Sequence, residues 1–182
     1  KMENLDLKQM SAMVDIIAEE KGLPKETVLD VIKQAIAAAW RKDNGDRDMN
    51  VRAVLNTKSG EADVFVSREV IEDGLAYNPS TEIPLSEAGK GAKLGDMVEE
   101  KFKVTTFGRV AAQTAKQVVV QRLREAENEA VLTMFEDKIG TVVTGTVARV
   151  EKNIVRVDLG RTIGVMPRSE QIEGEYYTVG YS

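Results

Sequence analysis

Residues 109–135 constrain this chain more than any other stretch. Ala112, Ala115, Val119, Leu123, Ala126, Ala130 and Met134 recur at helical spacing and form one continuous apolar stripe. The pattern predicts a single helix from about Arg109 to Phe135. At about 1.5 Å per residue it spans roughly 40 Å, enough to reach from one domain into the next. Its many alanines suit close approach to a neighbouring element.

The segments before it read as an α+β domain. Met10, Met13, Val14 and Ile17 share one helical face, and Gly22 ends that helix, since glycine tolerates the left-handed cap conformation. Pro24 suits the first turn of a second helix, whose stripe is Val28, Val31, Ile32, Ala35 and Ala39, ending near Trp40. The two form a helical hairpin. Val51 to Leu55 and Val64 to Ile71 read as strands joined by the turn residues Lys58-Ser59-Gly60-Glu61. Gly74 to Asp96 reads as loop with room for one short strand and one helical turn, and Val98 to Val104 alternates as a further strand. A small antiparallel sheet is the expected result.

After the long helix the pattern changes. Gly140 to Val150, Ile154 to Leu159 and Thr162 to Met166 alternate strongly, with tight connections at Lys152-Asn153 and Gly160-Arg161. Tyr176 to Tyr181 is expected to add a fourth strand. Four short strands suggest a small barrel of the OB type, which normally closes with five. The expected layout is therefore residues 1–136 as an α+β domain with a connecting helix, and residues 137–182 as an incomplete OB barrel of a longer protein. Lys1 ahead of Met2 reads as a tag remnant.

Composition removes several classes of function. The chain is 42% hydrophobic and 30% charged, a balance typical of a globular protein, and no apolar run approaches the roughly 18 to 20 residues of a membrane span. Cysteine and histidine are both absent. With them go disulfides, thiolate nucleophiles, the commonest zinc ligands and the usual Ser-His or Cys-His pairs. No cofactor or metal is expected. Asp43 to Asp48 resembles a calcium loop only superficially: its glycine comes too early and Val54 stands where the terminal Glu belongs. Gly89-Lys90-Gly91-Ala92-Lys93 lacks the Gly-Lys-Ser/Thr ending of a phosphate loop and reads as a surface turn. Asp46, Asp48, Glu61 and Asp63 are close in sequence but lack metal-ligand spacing, so a carboxylate-dependent hydrolase is a poor fit.

Charge is distributed unevenly. The net charge is −5, yet no acidic residue occurs between Glu100 and Glu125, an interval carrying Lys101, Lys103, Arg109, Lys116, Arg122 and Arg124. Steps of about 100° per residue put Arg109, Gln113, Lys116, Gln117 and Arg124 within one arc of the long helix. Cationic and amide donors on one face match what phosphate oxygens accept, and Arg109 lies near a helix N-terminus, which favours anions. From charge spacing alone, a solvated face that keeps the helix soluble explains the pattern as well.

The run Thr106-Phe107-Gly108-Arg109-Val110-Ala111-Ala112-Gln113-Thr114-Ala115-Lys116-Gln117-Val118-Val119, continued by Gln121-Arg122 and Arg124-Glu125-Ala126-Glu127, closely resembles the signature of the NusA N-terminal domain family. Lys21 to Glu26, Asn50-Val51-Arg52, Lys58-Ser59-Gly60 and Leu94-Gly95-Asp96 are similar to other parts of that domain. Gly140 to Val147, Val157-Asp158-Leu159-Gly160 and Gly164 to Glu170 resemble the family's OB domain of the S-one type. The resemblance implies a cytoplasmic transcription regulator with no catalytic activity. It implies docking on RNA polymerase near the RNA exit channel, with the β-subunit flap as a principal contact. It further implies effects on pausing, intrinsic termination and antitermination, in company with nascent RNA and other antitermination factors. A monomer is the default expectation. The barrel strands offer Val155, Val157, Ile163 and Val165 where many such barrels show aromatics, which predicts weak RNA binding by this piece alone. Tyr176, Tyr177 and Tyr181 could stack on bases. A general OB-type RNA-binding adaptor for translation or RNA decay is the alternative. It predicts salt-sensitive RNA binding by residues 139–182.

Overall fold

A computed structural model describes residues 7–45 and 47–182. The chain divides into two compact units, Lys1–Glu127 and Asn128–Ser182. The first begins with helices α1 (Leu7–Lys21) and α2 (Lys25–Asn44). Gly22 links them at φ 63°, a left-handed conformation that side chains with a Cβ adopt reluctantly. Pro24 stands at the N-cap of α2. The stripe of α2 is buried throughout, with Val28, Ala35, Ile36 and Ala39 sealed from solvent. On α1, Leu7, Met10, Ser11 and Val14 are buried. Met13, expected on that face, is instead half exposed. The helix turns Ser11 inward in its place, because the Ser11 hydroxyl donates to the Thr57 carbonyl at 2.8 Å.

Strands β1 (Asn50–Asn56), β2 (Glu61–Ile71), β3 (Glu82–Pro84) and β4 (Met97–Val104) form one sheet. β2 is central: β1 runs antiparallel along one edge, β4 antiparallel along the other, and short β3 pairs in parallel with the end of β2. The sheet is thus antiparallel except at β3, whose parallel pairing no local pattern foretold. Between β1 and β2 the Asn56 carboxamide accepts from the Lys58 and Ser59 amides. Gly60 completes the turn at φ 70°, and a Cβ there would lie 2.6 Å from Lys8 Cγ. Glycine is required on both counts.

Alternation divides the sheet's two faces. Ala62, Val64, Val66 and Val70 of β2 point inward and are buried, joined by Val51, Leu55 and Val104. Trp40 packs against Phe102 with ring centroids 5.2 Å apart. The outer face carries ion pairs: Arg52 with Glu99, Lys101 with Asp63 and Lys103 with Glu61. Arg68 pairs with Glu100 on the inward-facing side, beyond the buried stretch. Arg52 also lies over the Phe65 ring, 4.1 Å from its centroid.

Helix α3 (Arg109–Glu136) follows, close to its predicted length. Ala111, Ala112, Ala115 and Leu123 are buried in the first unit's core, with Val119 and Ala126 packed beside them. Ala130 and Met134, expected to continue the stripe, are exposed.

The second unit is a three-stranded antiparallel meander, β5 (Thr146–Val150), β6 (Ile154–Asp158) and β7 (Ile163–Pro167), followed by a 3-10 turn at Arg168–Glu170. Two expectations change here. The strand expected from Gly140 begins only at Thr146. Gly140 takes φ 78° in a turn where the Thr141 amide bonds the Lys138 carbonyl, so extended pairing cannot start there. The expected strand at Tyr176–Tyr181 does not form. Its contact with β5 is confined to two hydrogen bonds with Val147, from the Gly180 amide and to the Tyr181 carbonyl, and Gly180 takes φ 87° there.

Candidate nucleic-acid interface

The site is built on the first turns of α3. Phe107 is buried just before the helix and anchors the approach. Gly108 precedes Arg109, and its carbonyl accepts the Ala112 amide at 2.9 Å, the first bond of the helix. The Gly108 amide donates at 2.8 Å to Asp43 Oδ2, at the C-terminal end of α2 and 65 residues away in sequence. A carboxylate at the positive end of a helix is favourable, and here it also clamps one helix to another. The contact brings the last turn of α2, with Arg41 and Lys42, to the start of α3.

All five residues singled out from the sequence are exposed: Arg109, Gln113, Lys116, Gln117 and Arg124. They fall within about 100° of arc at the ideal helical step, adjoining the buried alanines. Lys116 and Arg124 form no ion pair among the described residues. Arg122, outside that arc, bonds Glu125 at 3.0 Å. The arc closes at Glu127, which pairs with Lys21 at 3.3 Å. Sequence reasoning overlooked Val120, which projects from the middle of the basic arc and is 61% exposed. A β-branched aliphatic left in solvent among cations is the signal that could have found it.

Other candidates fall differently. Asp46 lies outside the described residues. Glu61 and Asp63 are engaged by Lys103 and Lys101, and the Lys103 hydrogen bond holds Glu61 below the usual carboxylate range. Among the described residues no group of three or more acidic side chains could hold a metal ion. Nor is any helix of the described residues long and apolar enough to cross a membrane. Gly89 and Gly91 are left-handed turn residues, with φ of 95° and 88°.

In the second unit, Val147, Val157, Met166, Tyr176, Tyr177 and Tyr181 help line a cavity of about 460 Å³. Tyr176 is almost fully exposed and Tyr181 largely so. Tyr177 is half-buried: its hydroxyl accepts the Ile172 amide and donates to Glu175. Ile163 and Val165 are exposed aliphatics.

A helical hairpin on a small sheet, with a long helix presenting a basic face, defines an α+β domain. The family described as the NusA N-terminal domain matches residues 9–129. The chain belongs to that family. It is 37% identical over 166 residues to the transcription termination/antitermination protein NusA of Bacillus subtilis, covering 89% of this chain and 44% of that protein. It is 35% identical to the protein of the same description from Rickettsia conorii, covering 97% of this chain and 35% of the relative. The chain therefore spans less than half the length of these curated relatives. A solved structure described as the N-terminal domain of NusA from B. subtilis has 36% sequence identity and a TM-score of 0.47, covering 67% of this chain and 98% of that one.

Proposed function

We propose that this chain is the polymerase-binding part of a bacterial transcription regulator. It docks on RNA polymerase near the RNA exit channel, against the β-subunit flap, and turns the basic arc of α3 toward nascent RNA. It thereby modulates pausing, intrinsic termination and antitermination, alone or with other antitermination factors, as a cytoplasmic monomer without catalytic activity. In this reading residues 1–136 form the polymerase-binding domain with its connecting helix. Residues 137–182 contribute part of an OB-type RNA-binding domain.

The observation that carries the reading is the arc itself. Arg109, Gln113, Lys116, Gln117 and Arg124 are exposed together on a helix whose adjoining face is buried, so they can meet a phosphate backbone without disturbing the core. Phosphate contacts of this kind set position rather than sequence preference, which suits an RNA hairpin of variable sequence. The names of the relatives favour this reading over a general adaptor for translation or RNA decay.

The test is the lifetime of a hairpin-stabilised pause by bacterial RNA polymerase, with the chain and with its Arg109→Glu/Lys116→Glu variant. A lengthened pause that returns to baseline in a folded variant supports the reading. A lengthened pause that survives the reversal moves the RNA contact elsewhere. Failure to bind the polymerase rejects it.

A further inference from the structure

A second surface lies on the other side of α3. A groove of about 470 Å³ runs between α2 and α3, lined on α2 by Asp30, Lys33 and Arg41 and on α3 by Val118, Gln121 and Arg122. Its third wall is Val51, Arg52 and Ala53, three consecutive residues of β1. Side chains alternate across a strand, so three in succession can line one groove only where the strand's edge opens on it. β1 pairs with β2 alone among the described residues, leaving its other edge without a partner strand. Unpaired edges carry a row of backbone donors and acceptors able to accept a further strand.

The charge around this edge is specific. Lys33, Arg41 and Arg122 border it against the single carboxylate of Asp30, in a chain of net charge −5. Arg122 holds Glu125 and Lys33 approaches Asp30 at 3.8 Å, whereas Arg41 has no carboxylate partner among the described residues. The Arg52 guanidinium is turned onto the outer face of the sheet by Glu99 and adds nothing here. The groove is lined without aromatic residues, so it offers bases no stacking platform.

We propose that this edge receives an extended, acidic segment of a protein partner, which adds to β1 as a strand and places carboxylates on Lys33, Arg41 and Arg122. Main-chain hydrogen bonds supply the attachment and the three cations select the sequence. The site is separate from the basic arc and does not depend on its contacting RNA.

The test is an NMR titration of the full chain with a synthetic peptide of about six residues alternating Glu and Val, a typical strand length. The expected result is saturable shifts at Val51–Ala53, with exchange protection of those β1 amides that point away from β2. Methylating the peptide's backbone nitrogens should weaken binding on the order of tenfold or more, as should Arg41→Glu with Arg122→Glu. Lys116→Glu should leave the affinity unchanged. Should the charge reversals fail to fold, the methylated peptide tests the same claim on the unaltered chain. The proposal is overturned by absence of binding at roughly millimolar peptide, by equal affinity of the methylated peptide, or by an RNA hairpin shifting these amides where the peptide does not.

Discussion

Replacing Asp43 should loosen the start of α3 without touching any buried side chain. Asp43→Ala removes the 2.8 Å hydrogen bond to the Gly108 amide and the negative charge at the helix N-terminus. Hydrogen bonds to charged groups contribute about 1.5 to 3 kcal/mol when well shielded. Asp43 is exposed, so the helix-capping value of about 1 kcal/mol is the better guide. With a urea dependence of about 2 kcal/mol per molar, the midpoint should fall by roughly 0.5 M. Asp43→Asn keeps an acceptor oxygen and loses the charge term, about 0.3 to 1 kcal/mol, so it should lie between wild type and Ala. Trp40, the chain's only tryptophan and buried against Phe102, reports this unit by fluorescence. Gly108→Ala supplies a cross-check, because its Cβ would meet Asp43 Oδ1 at 3.0 Å. Part of its cost should vanish in the Asp43→Ala background. An Asp43→Ala midpoint equal to wild type, or an Asn variant as weak as Ala, would refute the clamp.

Gly145→Ala should damage the second unit alone. The new Cβ would lie 2.4 Å from Val157 Cγ1 and 3.0 Å from the Asp158 carbonyl, an overpacking that costs about 1 to 3 kcal/mol. Amide exchange should quicken in β5 to β7 and stay unchanged in β1, and unaltered exchange in both contradicts this. Acid should erode the first unit's surface pairs late. Hydrogen bonds from Lys103, Arg52 and the Ser86 amide hold Glu61, Glu99 and Asp73 below their ordinary values of 4.5, 4.5 and 3.8. Their contribution is therefore complete above those values and lost as pH falls through the lower folded ones. Thermal unfolding followed from neutral pH downward should show a shallow decline beginning there, flattened by salt because the groups are exposed. A decline already present near neutral pH would contradict it.

The periodic elements were legible in the sequence for physical reasons. The α2 stripe and the buried face of β2 must shed water along one face, and that requirement writes itself into spacing. The basic arc was legible too, because helical geometry alone sets which residues share a face. What escaped depended on partners distant in the chain. Ser11 replaces Met13 in the interior because a carbonyl 46 residues away accepts its hydroxyl. Asp43 stood only in a superficial likeness to a calcium loop, and its role comes from the Gly108 amide, 65 residues away. Tyr176 to Tyr181 reads as a strand, yet only Gly180 and Tyr181 bond β5, both at Val147, and Gly180 there takes φ 87°. The groove beside β1 arises from three separated segments and has no linear signature.

The central claim, that the basic arc of α3 faces nascent RNA, is tested most directly by crosslinking within a paused polymerase complex. A photoreactive residue at Gln117 lies inside the arc, and one at Glu125 lies about 80° further round the helix. The account predicts RNA crosslinks from Gln117 and few from Glu125. RNA crosslinks confined to Glu125, or only polymerase crosslinks from Gln117, would contradict it.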